Sequence, residues 1–271
     1  MSNKITSTYK KLDDGGIEVV FSIPADIILS TKNDTLKEFA VDANIPGFRK
    51  GKAPIAKVEE TISEEKLSEH ILSHILPEAF TNSIKEHKFN PALYPKFEAT
   101  KITSIKNLTD DGVWEIKAVT CELPKIVIPK DLKKKLKSDE KNQSVLVQSL
   151  LENVKLELPK MLIAEEVNAR LSQVLDRIEK LGLTLEGYLK SVGKDVIKLR
   201  AEYEIQAKDA ISLELILNEV ANMEKIDVTE SEIDDFIKTT GEDLNKVEKE
   251  QRDVLRRVIL RKKALENISK K

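Results

Sequence analysis

The residues best suited to chemistry lie in one short run, Asn44-Ile45-Pro46-Gly47-Phe48-Arg49-Lys50-Gly51-Lys52-Ala53-Pro54. Two glycines four positions apart let the backbone take positive φ twice and turn tightly. Phe48 is carried between them beside Arg49 and Lys50, and Lys52 and Lys57 follow. Between Ala43 and Val58 there are four basic residues and no acidic one. An aromatic ring flanked by cations on a stiff turn has the make-up of a docking hot spot. The cations suit RNA phosphates and acidic side chains alike, while the ring needs an apolar pocket. The same residues also read as an ordinary helix–helix turn with solvated lysines. They do not read as a phosphate loop: three residues rather than four separate Gly47 from Gly51-Lys52, and Ala53 stands where a Ser or Thr is required.

Other reactive types are sparse. His70 and His74 lie four apart on a predicted helix, with Glu78 one turn on, a spacing that can hold a metal edge-on. No cysteine is near them, and Ile71 stands where a zinc protease places its glutamate, so the pair reads as surface or half-buried histidines and no metal is expected. Cys121, the only cysteine, ends a predicted strand and reads as a small buried residue. Asp13-Asp14, Asp110-Asp111 and Asp234-Asp235 fall at turns or on a helix face and need no catalytic role. The sequence therefore contains no nucleophile–base pair or cofactor motif, and no enzyme activity is expected of it.

The elements that must position the loop are legible from periodicity. Ile17, Val19, Phe21 and Ile23 alternate with Glu18, Val20 and Ser22, a strand with one buried face. Asp13-Asp14-Gly15-Gly16 turns it back on a weaker run through Ile5, Ser7 and Tyr9. Pro24 suits the start of a helix running to about Ala43, with Ile28, Leu36, Phe39 and Ala40 inward. Pro54 opens a short helix toward Ile62. Ser63 caps a longer one to about Lys88, whose Leu67, Ile71, Leu72, Ile75, Leu76, Ala79 and Phe80 form an apolar stripe that Pro77 is expected to bend. Trp114, Ile116 and Ala118 alternate in a last strand, with Asp110-Asp111-Gly112 as its turn. This order predicts an α+β N-terminal domain over residues 1–123, an antiparallel sheet with helices on one face.

Residues 124–137 read as a connector, with Pro124 and Pro129 opposing helix and a charge run at Lys133, Lys134, Lys135 and Lys137, read as a solvated linker. From residue 138 to 271 the pattern is helical, an all-α C-terminal domain. Leu171, Val174, Leu175, Ile178 and Leu181 form one stripe, and Val196, Leu199, Tyr203, Ala207 and Ala210 another. Residues 211–220 are apolar on more than one side, marking the central helix of a bundle. Thr229 with Glu232 is a capping box, and Val254, Leu255, Val258, Ile259 and Leu265 mark the last helix.

Composition limits the function classes. Charged residues make up 34% and aromatics 4%, which favours solvated helices over a deep ligand pocket. The net charge of −2 gives no general affinity for nucleic acid, and no DNA partner is expected. The longest apolar run is Met161–Ala164, too short for a membrane span of about 20 residues or a secretory segment, so no membrane partner and a cytoplasmic location are expected. A single cysteine fits a reducing compartment.

The run from Ile45 to Pro54 resembles, position by position, the ribosome-docking loop of the trigger factor family. The stretches Glu157-Leu158-Pro159-Lys160-Met161-Leu162-Ile163 and Leu215-Ile216-Leu217-Asn218-Glu219-Val220-Ala221, the latter leading to Ile226–Glu230, are similar to that family's C-terminal domain. The resemblance implies that Gly47, Phe48, Arg49, Lys50, Gly51 and Lys52 contact the large ribosomal subunit beside the exit tunnel, its protein and adjoining RNA. It also implies that the helical half cradles unfolded or nascent polypeptides without ATP or any cofactor. A homodimer is left open by the sequence. Full-length relatives carry a glycine-rich prolyl-isomerase module between the two domains. Here no glycine occurs between Gly112 and Gly182, so no such module and no isomerase activity are expected. A ribosome-independent holdase or assembly chaperone with the same fold is the alternative.

Overall fold

The computed structural model describes residues 4–109, 112–129, 132, 136, 143–241 and 244–269. They divide into two compact units, residues 1–123 and 124–271.

The first unit is built on strands β1 (Thr6–Lys11), β2 (Gly16–Pro24), β3 (Lys96–Lys101) and β4 (Val113–Cys121). They form one antiparallel sheet in the order β1-β2-β4-β3. The central pair sets Phe21 opposite Ile116 and Ile23 opposite Trp114, so the alternating apolar residues of both strands share a face. Helices α1 (Ala25–Asp42), α2 (Ile55–Thr61) and α3 (Glu64–His87) complete the unit. Ile28 and Leu36 of α1 and Ile71, Ile75 and Phe80 of α3 join Ile17, Phe21, Ile23 and Trp114 in one core. Trp114 is wholly buried, and its indole N–H donates to the Thr103 carbonyl at 2.9 Å.

The helix starts follow local signals. Pro24 and Pro54 precede α1 and α2, and Ser63 caps α3 by accepting from the Lys66 N–H at 3.3 Å. Pro77 does not end α3, which continues to His87. The last hairpin is less compact than its predicted turn. β3 is exposed along its length, its register slips between Ala99 and Lys101, and a 3-10 turn at Ile105–Asn107 stands between it and β4. Asp110-Asp111 lies outside the described residues.

The second unit is helical: α4 (Gln143–Asn153), α5 (Lys160–Lys180), α6 (Leu185–Ser191), α7 (Val196–Met223), α8 (Glu230–Thr240) and α9 (Lys249–Ser269). α7 is its axis and packs against α4, α5 and α9. Its C-terminal half buries Ile216, Leu217, Val220 and Ala221 against Leu146 and Leu150 of α4 and Ala264 and Ile268 of α9. Leu132 and Leu136, from the stretch read as a connector, are buried in the same core. The lysine run beside them lies outside the described residues. A smaller cluster of Val228, Ile233, Ile237 and Ile259 joins α8 to α9. The capping box forms: the Thr229 side chain accepts from the Glu232 N–H, and Glu232 accepts from the Thr229 N–H at 2.8 Å.

The predicted stripes of α5, α7 and α9 are not buried along their whole length. Of Leu171, Val174, Leu175, Ile178 and Leu181, only Ile178 is buried, and Val196, Ala210, Val254 and Val258 are exposed. The reason is the number of partners. The main long-helix partner of α5 is α7, and one such neighbour covers only part of a wide apolar face.

Candidate functional site

The loop after α1 is pinned at both ends. Ile45 is buried at its start, and Val58 of α2 is buried just beyond its end. Between these pins the chain makes two successive turns. The Phe48 N–H donates to the Ile45 carbonyl at 3.1 Å, and the Lys52 N–H to the Arg49 carbonyl at 2.9 Å. The Gly51 N–H reaches the Ala43 carbonyl at 3.4 Å and closes the base. Gly47 and Gly51 hold φ of +87° and +75°, in the region that L side chains rarely adopt. Gly51 has a second reason to be glycine: a Cβ there would lie 2.9 Å from the Val41 carbonyl oxygen, whereas one at Gly47 would meet nothing within 4 Å.

This backbone holds Phe48 at the surface, 42% exposed, next to exposed Arg49, Lys50 and Lys52. Among the described residues neither Arg49 nor Lys52 is paired with an acid. Lys50 is, because the fold brings Asp42 to 2.9 Å from its Nζ. Lys57 is held by Glu60 at 2.7 Å. The loop thus presents two free cations, one weakly held cation and a ring. Sequence reasoning missed that Val41 and Ile55, at the helix ends on either side, are also exposed, 67% and 41%, adding apolar surface to the same segment. Their signal was available: each is an aliphatic residue left off any predicted inward face.

A second surface lies in the helical unit. Where α5 ends, α6 follows and α7 begins, Leu175, Leu181, Leu183, Leu185, Val192 and Ile197 are all exposed, from 39% at Leu185 to 81% at Ile197. Gly182 and Gly193, with φ of +67° and +66°, turn the chain at the two ends of α6. Lys194 is held by Glu202 at 2.5 Å.

The remaining reactive groups are restrained. Burial, helped by Asp14, pushes the Cys121 thiol up to about 11, so it carries little thiolate at neutral pH. The Asp14 carboxylate accepts from the Gly16 N–H at 3.1 Å, and Asp234 pairs with Arg252 at 2.6 Å. Lys263 at 2.7 Å, with the Thr229 N–H, holds Glu232 well below its ordinary value of 4.5, at about 2.

The described residues thus combine an α+β unit bearing a cation-flanked aromatic loop with a helical unit bearing uncovered aliphatics. The model of the bacterial trigger factor protein matches residues 5–155, and that of the trigger factor C-terminus matches residues 130–270. The chain belongs to the trigger factor family. Relatives named trigger factor include those of Clostridium beijerinckii, 24% identical over 58% of this chain and 37% of its own length, and Staphylococcus epidermidis, 29% identical over 38% and 24%. That of Caldicellulosiruptor saccharolyticus is 24% identical over 70% and 42%. The matched stretches thus span less than half the length of these relatives. A solved chain from work on promiscuous substrate recognition in folding and assembly by the trigger factor chaperone has the same fold, with a TM-score of 0.70, 13% identity, and coverage of 98% of this chain and 99% of that one.

Proposed function

We propose that this chain is an ATP-independent chaperone that docks at the large ribosomal subunit near the tunnel exit and shields apolar segments of nascent polypeptides. The observation that carries this reading is Phe48, held outward between two positive-φ glycines beside unpaired Arg49 and Lys52. In this reading Phe48 fills an apolar pocket on a ribosomal protein. Arg49, Lys50 and Lys52 meet acidic side chains or RNA phosphates, and Gly47 and Gly51 set the bend. The uncovered leucines and isoleucine around α6 serve as client surface. Burying one aliphatic side chain gains roughly 1.5–3 kcal/mol. A few such contacts give only micromolar to millimolar affinity after association costs, which suits release without ATP. Holding the protein at the ribosome raises its effective concentration and offsets that weakness.

Prolyl isomerisation forms no part of this function. The two family matches overlap over residues 130–155, and the glycine-free stretch after Gly112 supports the same reading, since an isomerase module of the family's kind is rich in glycine turns. Work in a reducing cytoplasm accords with a single, buried thiol.

Cosedimentation of the full chain with ribosomes tests the proposal. Phe48→Ala and Arg49→Ala are each expected to weaken pelleting by about 2 kcal/mol, and added salt should weaken the wild type. Undiminished pelleting of a variant with alanine at Phe48, Arg49 and Lys50 would remove the loop from the mechanism. The exposed aliphatics around α6 favour a second reading, a holdase independent of the ribosome. It predicts full suppression of aggregation by that triple variant and no pelleting of the wild type.

A further inference from the structure

Sequence spacing offered Glu78 as the companion of His70 and His74, but the donor that clusters with the pair is a different one. Folding supplies it. α1 lies against α3 and brings Glu38 to the pair, so that one donor atom from each of Glu38, His70 and His74 lies within 4.8 Å of the others. The His74 Nε2 is 3.1 Å from the Glu38 Oε2. The His70 ring is packed against Phe39, with centroids 4.6 Å apart, and beside the His74 ring at 5.4 Å. The hydrogen bond between His74 and Glu38 leaves His70 out. The His70 Nδ1 is buried and has no hydrogen-bond partner, a state it shares among the described residues only with the Thr35 hydroxyl.

We propose that Glu38, His70 and His74 bind one zinc-class divalent cation and so fasten α1 to α3. Two imidazoles and a carboxylate suit zinc and its transition-metal neighbours, whereas magnesium and calcium require oxygen donors. With metal–donor bonds of about 2.0–2.1 Å, tetrahedral ligands stand about 3.3 Å apart. The Glu38–His74 pair already has that spacing, and His70 closes on it by a side-chain adjustment of at most about 1.5 Å. His70 is fixed by its aromatic neighbour, while Glu38 and His74 are exposed, so an ion enters from solvent and the fourth position faces water. Glu38 stands one helical turn before Asp42, where α1 ends and the loop begins. Occupancy therefore fastens the helix that carries the loop.

The test is zinc uptake by the full chain against a chromophoric chelator, with cobalt(II) absorption reporting tetrahedral ligation. One equivalent is expected to bind and to raise the thermal midpoint, and magnesium should do neither. His74→Ala and Glu38→Gln, both at exposed positions, and His70→Gln should each weaken zinc by about tenfold or more. His87→Gln should not, since that ring stacks on Tyr9 and contacts the Ser7 hydroxyl at 2.8 Å, away from the three donors. Far-UV circular dichroism checks that each variant folds; if His70→Gln does not, the two exposed positions decide. Absence of saturable uptake at millimolar zinc overturns the proposal. So does uptake that survives His74→Ala and Glu38→Gln unchanged, or that is lost on His87→Gln instead.

Discussion

Gly47 and Gly51 occupy the same region of backbone space, yet they tolerate change differently. Alanine at Gly47 meets only the conformational penalty of a left-handed residue, about 1–2 kcal/mol. Alanine at Gly51 adds a collision with a backbone carbonyl at 2.9 Å, which cannot rotate aside. Urea unfolding followed at Trp114 should therefore show Gly51→Ala losing about 2 kcal/mol or more, and Gly47→Ala less. The capping carboxylate gives a pH prediction. Glu232 titrates at about 2 in the folded protein and at 4.5 ordinarily, so between those values the unfolded chain holds more protons than the native one. Its stabilising contribution is complete above 4.5 and fades as the pH falls toward about 2. Thermal midpoints measured across that range should fall less steeply for Glu232→Gln than for the wild type. A parallel fall would show that the Lys263 contact adds nothing.

Helix starts were legible because capping is local: Pro24, Pro54 and Ser63 act on neighbours within one turn, and α1, α2 and α3 begin beside them. The loop was legible for the same reason, since two glycines and a run of cations state their geometry without help from the rest of the chain. β3 was not, because Lys96–Lys101 is exposed throughout, irregular in register and defined by its pairing with β4. Glu38 was equally invisible as a companion of the histidines, being 32 and 36 positions away and united with them only by helix packing. The apolar stripe of α5 was legible as a face, but whether it is covered was not. Periodicity reports which side is apolar, but not whether anything lies over it. This distinction is testable. Leu181→Ser with Ile197→Ser should leave stability within about 0.5 kcal/mol per site while reducing suppression of client aggregation. Ile178→Ala, at a buried position of the same stripe, should cost about 2 kcal/mol or more.

Each unit has its own core, and the optical signals divide between them. The protein's single tryptophan, Trp114, is fully buried in the first unit, while most of the long helices lie in the second. Native emission should be blue-shifted, and its loss in denaturant should track the first unit alone, with ellipticity reporting mainly the second. Fluorescence that begins at the wavelength of a solvated indole would contradict the packing of Ile23 opposite Trp114. The same assay separates docking defects from folding defects, because alanine at Phe48, Arg49 and Lys50 alters an exposed tip and should leave the emission unchanged.

The pairing of α5 with α7 has one more consequence. A helix covered mainly along one side leaves the aliphatic groups of its other flank, such as Leu175 and Leu181, to face water, a visitor or a twin. Crowding favours the twin. Concentrated solutions should drift toward self-association through that flank, and any guest able to occupy it should hold the copies apart.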